Sequence, residues 1–172
     1  MSPTARFVAA AALMLGACVA KAGELVAEPK LKAGFIANFV QFVKWPGNPA
    51  RPVVCGYGND RSGDALDHLK ASIAQDSSPQ VKRIRSIHDI NGCHAVFLDA
   101  VQVALLPSVI EASSGRPVLV ITDFEGGAPL GATLSFVATG GGRLGFDVNQ
   151  TAAQTAGLII NTRLLQLARR VY

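Results

Sequence analysis

The sequence predicts an α/β fold: one domain with a mostly parallel sheet flanked by helices, a C-terminal antiparallel hairpin and a final helix. Three observations lead there. Helix-period and strand-period segments alternate through the first two thirds of the chain, as in βαβ units. Several strands are short apolar runs without a polar face, which suits strands buried on both sides of a parallel sheet. Near the end, two strands of alternating polarity are joined by three consecutive glycines, a hairpin pattern.

The elements follow in order. Lys30 to Trp45 reads as a helix, since Leu31, Phe35, Phe39 and Phe42 recur at three- and four-residue steps, with Ile36, Val40 and Val43 widening the stripe. Lys30, Lys32, Asn38, Gln41 and Lys44 interrupt the apolar run, which excludes a membrane span; the broad stripe favours a core helix, with a surface-lying helix as the alternative. Pro46 ends it, because the residue before proline avoids the α region. Pro52 to Tyr57 is a short buried strand carrying Cys55. Gly63 to Gln75 is amphipathic, with Leu66, Leu69 and Ile73 on one face. Val81 to Ile87 alternates as a half-buried strand, Asn91-Gly92 is a turn, and His94 to Ala100 is an apolar strand just after Cys93. Pro107 opens a helix to about Ser114. Pro117 to Asp123 is the strongest strand. Ala132 to Thr139 and Arg143 to Asn149 form the hairpin around Gly140-Gly141-Gly142. Thr151 to Arg170 reads as the last helix, with Thr151 and Gln154 in a capping-box pattern and Arg169 and Arg170 suited to its C-terminal dipole.

The first 22 residues read as an export signal: Arg6 supplies the positive start, and Phe7 to Ala17 an apolar core too short to span a bilayer. Two processing sites compete. Ala20-Lys21-Ala22 is a small-x-small site that leaves Gly23 first. Leu15-Gly16-Ala17-Cys18 is similar to a lipobox that leaves a lipidated Cys18. Cleavage after Ala22 is the expected outcome, because glycine is not the preferred middle lipobox residue. Residues 23–172 then form the single domain. The expected compartment is an oxidising one outside the cytoplasm, and no later segment is long and apolar enough to span a membrane.

Of 172 residues, 49% are hydrophobic and 16% charged, and the formal charge is +4. Removing Arg6 and Lys21 leaves 14 basic against 12 acidic residues, or +2. The basic residues are scattered and not interleaved with aromatics, which argues against nucleic-acid binding. Cys55 and Cys93 remain as an even pair in an oxidising compartment, where a disulfide is expected. It would close a loop of about 39 residues, worth roughly 4 kcal/mol in the chain-entropy model. Two buried thiols are the alternative.

Candidate chemistry is sparse. Gly140-Gly141-Gly142-Arg143 lacks the following helix that a phosphate cradle needs. Cys93, His94, His88 and Asp89 would suit a metal only with a free thiolate and lack any tight ligand pair, so no metal and no cofactor is expected. His68 sits with Asp64 and Asp67 on a solvated helix face, and Ser113-Ser114-Gly115 is a helix terminus, not a nucleophile elbow. Asp99 and Asp123 end probable strands, where α/β folds place binding groups. With Thr122 they would line a ligand crevice. No catalytic residue set is assigned, and an enzyme is not expected.

The assembled blocks resemble the YfiR family of bacterial periplasmic proteins. Residues 32–46, KAGFIANFVQFVKWP, are similar to the family's KAAFLYNFAKFVEWP helix. Cys55 after a strand, Cys93 before HAVFL, then VLVITD, GATLSFV, GRLGFDVN and AGLIINTRLLQLAR follow the family's order. The resemblance implies regulation without catalysis: a periplasmic protein that binds and represses the sensor domain of an inner-membrane diguanylate cyclase, lowering cyclic di-GMP and biofilm formation. It also implies a homodimer. Some members carry a second cysteine pair in the C-terminal half, and this chain has none there. A periplasmic small-ligand-binding module is the alternative reading.

Overall fold

A computed structural model describes residues 22–58, 63–72 and 79–172. Its centre is a seven-stranded mixed sheet in the order β3-β2-β4-β5-β6-β7-β9. The strands are β2 (Val53–Tyr57), β3 (Gln80–Ile84), β4 (Ala95–Leu98), β5 (Leu119–Thr122), β6 (Leu134–Thr139), β7 (Arg143–Val148) and β9 (Arg170–Val171). The first five of that order run parallel, and β7 turns back antiparallel to β6 in a hairpin. Gly141 and Gly142 both hold positive φ, 78° and 72°, which explains glycine at the turn. The short β9 then runs parallel to β7 at the sheet's edge.

Strand alternation sends side chains to two separate cores. Val54, Ala95, Phe97, Leu119, Ile121, Leu134, Phe136 and Phe146 face helices α1 (Ala22–Phe42) and α2 (Gly63–Ser72). Cys55, Val96, Leu98 and Val120 face α3 (Leu106–Ser113) on the other side. On the α1 side the centre is aromatic: Phe39 meets Phe146 at 5.0 Å and Phe136 at 5.6 Å between ring centroids. Such pairs add about 0.5–1.5 kcal/mol each beyond area burial. Helix α2 comes close because β2 carries Gly56, where a Cβ would lie 2.2 Å from Leu66 Cδ1.

The sheet-and-helix class matches the expectation, and several boundaries move. Helix α1 begins earlier, at Ala22, and continues through Pro29. It stops at Phe42, not Trp45, because Val43–Lys44 forms β1, paired antiparallel with β8 (Ile159–Ile160). The expected single helix from Thr151 to Arg170 is divided into α4 (Gln150–Thr155), β8 and α5 (Thr162–Leu167). Gly157, at φ 70°, turns the chain out of α4. Asn161 Oδ1 then caps α5 by accepting from Arg163 N at 2.9 Å. The cap of α4 is Asn149, through Ala152 N at 2.7 Å, and not Thr151. Arg169 and Arg170 therefore lie beyond any helix.

Two 3-10 helices replace expected irregular chain: Ile87–Gly92, where a turn was read at Asn91-Gly92, and Ala100–Leu105. Both start with a capping box, Ser86 with Asp89 and Asp99 with Gln102. The predicted positions of Cys18 and Ile73 lie outside the described residues, as does the processing region 1–21.

Candidate functional site

Two regions of the fold hold the residues that sequence reasoning singled out. The first is the staple between β2 and β4. Cys55, fully buried in mid-strand, is joined to Cys93 just before β4, with Cα atoms 5.8 Å apart. Beside it, His94 acts as a clamp. Its backbone N donates to Val53 O at 2.8 Å, and its Nδ1 accepts from Val53 N at 3.0 Å. Its carbonyl accepts from Leu119 N at 2.9 Å and from Trp45 Nε1 at 3.3 Å. One residue thus aligns three strands and anchors the indole that follows β1.

This arrangement engages three of the four residues named as possible metal ligands. The Cys93 sulfur is in the bridge, His94 Nδ1 is engaged, and Asp89 Oδ2 accepts from Ser86 N at 3.2 Å. Among the described residues, no cluster of three or more His, Cys, Asp or Glu is arranged to hold a metal. Asp67, on α2 beside His68, pairs with Arg83 at 2.9 Å on the surface. Ser113 donates to Val109 O at 2.7 Å as an ordinary helix contact.

The second region lies at the C-terminal end of the parallel strands. The hairpin overhangs here: β5 meets β6 only at Ile121–Leu134 and Thr122–Ser135, whereas β6 and β7 continue pairing to Thr139–Arg143. Between the overhang, the outer part of α1 and the loop after β5 runs a groove of about 910 Å³. Leu31, Phe35, Phe136 and Leu144 give it an apolar floor, and Glu28, Lys32, Asp123, Glu125 and Arg143 its polar lining.

Only one of the three residues expected in a crevice lines it. Asp123 does. Asp99 is turned inward, where Oδ1 accepts from Val101 N at 2.7 Å and caps a 3-10 helix. Thr122 is fully buried and contacts Leu134 O. The partner of Asp123 is Lys32, at 2.8 Å, which also bonds Glu28 at 2.6 Å. One ammonium therefore serves two carboxylates. Burial pushes the Asp123 carboxyl above its ordinary range, and the Lys32 ammonium offsets only part of that. Burial acts to lower Lys32, but hydrogen bonds to Asp123 and Glu28 outweigh it and leave Lys32 raised.

A second cation shared by two carboxylates lies nearby. Arg169 donates from Nε and Nη2 to Asp147, at 2.9 and 2.7 Å, and from Nη1 to Glu125 at 2.7 Å. Those bonds, to Asp147 first and Glu125 second, raise the guanidinium pKa further. Sequence reading missed both networks. The four-residue step from Glu28 to Lys32 on a helix was the available signal; the partners of Arg169 left none, since Asp147 lies 22 residues away.

With this geometry in view, the comparisons decide the family. The family model described as YfiR/HmsC-like matches residues 29–169, nearly the whole described body. The chain belongs to the YfiR/HmsC-like family. The family is periplasmic and regulatory, acting in cyclic di-GMP signalling, and is not a family of catalysts. The fold also occurs in a conserved domain protein from Vibrio cholerae O1 biovar eltor, at TM-score 0.60 and 13% identity. An ABC domain from Streptococcus pneumoniae, solved in complex with L-Trp, matches at the same TM-score and identity. Each match covers 84% of this chain and 60% of the other, and at this identity it speaks for the fold alone. Among the described residues of this YfiR/HmsC-like chain, no helix is long and apolar enough to cross a membrane.

Proposed function

We propose that this chain is exported, with residues 1–22 removed as a signal, and represses an inner-membrane diguanylate cyclase by binding its periplasmic sensor domain. Repression lowers cyclic di-GMP and biofilm formation. The observation that carries this reading is the YfiR/HmsC-like match across residues 29–169, which spans both cores and both cysteines. The side chains agree with a protein that works by contact: the histidine beside the bridge, the strand-end Asp99 and Ser113 are all engaged in holding the fold.

Physically, a docked protein shifts the cyclase only by its differential affinity for the inactive state. A rigid body is suited to that task, and the Cys55–Cys93 bridge with the His94 clamp supplies rigidity next to the parallel strands. The working unit is proposed to be a homodimer. Anchoring through a lipidated Cys18 is the alternative to cleavage after Ala22, and intact mass of the mature protein separates them.

The test is cellular. Deleting the gene in a strain that expresses the cognate cyclase is expected to raise cyclic di-GMP, and restoring the wild-type gene to lower it. Unchanged nucleotide levels in both strains would remove the assignment.

A further inference from the structure

The groove beneath the hairpin combines an apolar floor with a charged end. Its floor is apolar: Leu31 on α1 is 50% exposed, and Phe35, Phe136 and Leu144 continue the surface inward. A half-exposed leucine next to a cavity of about 910 Å³ offers contact area to a compact organic body.

The charges at one end are unbalanced. Among the described residues, Glu28 and Asp123 share the single ammonium of Lys32, which leaves one negative charge over at that end. Glu125, also in the lining, shares Arg169 with the buried Asp147, so that network does not supply a spare cation either. Arg143, the remaining lining cation among the described residues, stands at the hairpin turn and belongs to neither network. A second positive charge brought to the Glu28–Asp123 end would meet the carboxylate charge that Lys32 leaves over. The partly compensated burial of Asp123 points the same way, because a further cation at its carboxylate would complete what Lys32 leaves undone.

We propose that this groove binds a small organic monocation, an ammonium group on an apolar or aromatic body, with the ammonium at Asp123 and Glu28 and the body on Leu31, Phe35 and Phe136. The location fits the general habit of α/β sheets, which take ligands at the C-terminal ends of their parallel strands. Such a ligand would bridge α1 to the loop after β5 and to the hairpin, adding to the Lys32–Asp123 ion pair and to the Phe35 contacts with Phe136 and Phe146. The proposal goes beyond the repressor reading and does not rest on it, since binding is measured on the purified protein without any cyclase.

The experiment is calorimetric titration of the purified protein with 2-phenylethylamine. Three probes accompany it: 3-phenylpropanoate (same body, opposite charge), methylammonium (charge without body) and spermidine (several charges). Saturable binding of 2-phenylethylamine is expected, at least about tenfold tighter than that of each of the others. Asp123→Asn is expected to weaken it by about tenfold or more, the usual scale for losing a charged hydrogen-bond partner. Leu31→Gln is expected to weaken it by a smaller factor with the preference for the amine retained. If Asp123→Asn fails to fold, Glu28→Gln, on the exposed helix surface, serves in its place. Affinity is expected to fall as pH drops through the raised Asp123 pKa. Equal affinity for the amine and the carboxylate, tighter binding of spermidine, an unchanged affinity in both carboxylate variants, or no saturable binding at millimolar probe would each overturn the proposal.

Discussion

The two halves of the sheet are fastened by different chemistry. In the first half, β2 and β4 are held by a covalent bridge and by the hydrogen-bonded His94 clamp. In the second half, β7, β9 and the loop after β5 are held by Arg169 reaching both Asp147 and Glu125, and the outer part of α1 is tied down by Lys32. A covalent joint responds to reductants and ignores salt. An ion-pair joint responds to salt and pH and ignores reductants. The groove opens in the second half, so the part of the molecule with room for a ligand is also the part held by adjustable contacts.

That contrast is broken most directly at the bridge. Cys55→Ala with Cys93→Ala is expected to cost about 2–5 kcal/mol, the usual range for a native disulfide in a small exported domain. Chemical denaturation checks it, and reductant is expected to destabilise the wild type but not the variant. The same variant is expected to repress the cyclase less well; an equally stable, fully repressing variant would show the bridge to be dispensable.

A smaller effect is expected from the clamp. His94→Phe keeps a ring against Trp45 but leaves the Val53 N–H without its acceptor, a loss of about 1–3 kcal/mol. Denaturation at fixed pH measures it, and salt is expected to make no difference to the loss.

Next comes the second joint. Arg169→Met leaves Asp147 buried without its bidentate partner. A lower melting temperature is expected, with the gap to wild type narrowing as salt is added, because the intact pair is partly exposed and screened. A gap that does not depend on salt would mean that packing, and not charge, holds this edge.

The smallest effect is expected at Asp123. Its pKa is raised by burial, so the folded state holds the proton to a higher pH than the unfolded chain does. That contribution to stability is present in full below the unfolded carboxylate pKa and is lost as pH rises through the folded value. Asp123→Asn removes the dependence. At neutral pH the variant is expected to lie within about 1 kcal/mol of wild type, and the two stability curves to diverge across the range where Asp123 ionises. Lys32 behaves separately: its pKa is raised too, so its contribution lasts from low pH up to the lysine range and disappears only as pH rises through the folded value.

Much of the fold was legible because local pattern and tertiary context agree. PVVCGY, HAVFL and VLVIT read as buried strands and lie in the middle of the sheet, with neighbours on both sides. The triple glycine read as a hairpin and is one. The misreadings fall where a distant partner overrides periodicity. Leu158, Ile159, Leu165 and Leu167 suit the apolar side of a helix, but Ile159 and Ile160 are drawn into a strand by Val43 and Lys44, over a hundred residues earlier. The same pairing shortens α1. Gly157 and Asn161, a stop followed by a cap, were the local signs of that break. At the site, Asp123 was readable as a strand-end carboxylate, but Lys32 reaches it across 91 residues and had passed for a polar interruption of the helix stripe. Thr122 precedes it directly and Asp99 follows the neighbouring strand β4, and only the fold reveals that both turn away.

The central claim, that this body acts by touching a membrane cyclase, is tested most directly by titrating the purified, oxidised protein against the isolated periplasmic domain of that cyclase. The account predicts saturable binding that weakens when Cys55 and Cys93 are both replaced. Absence of binding, with both partners folded, would contradict it.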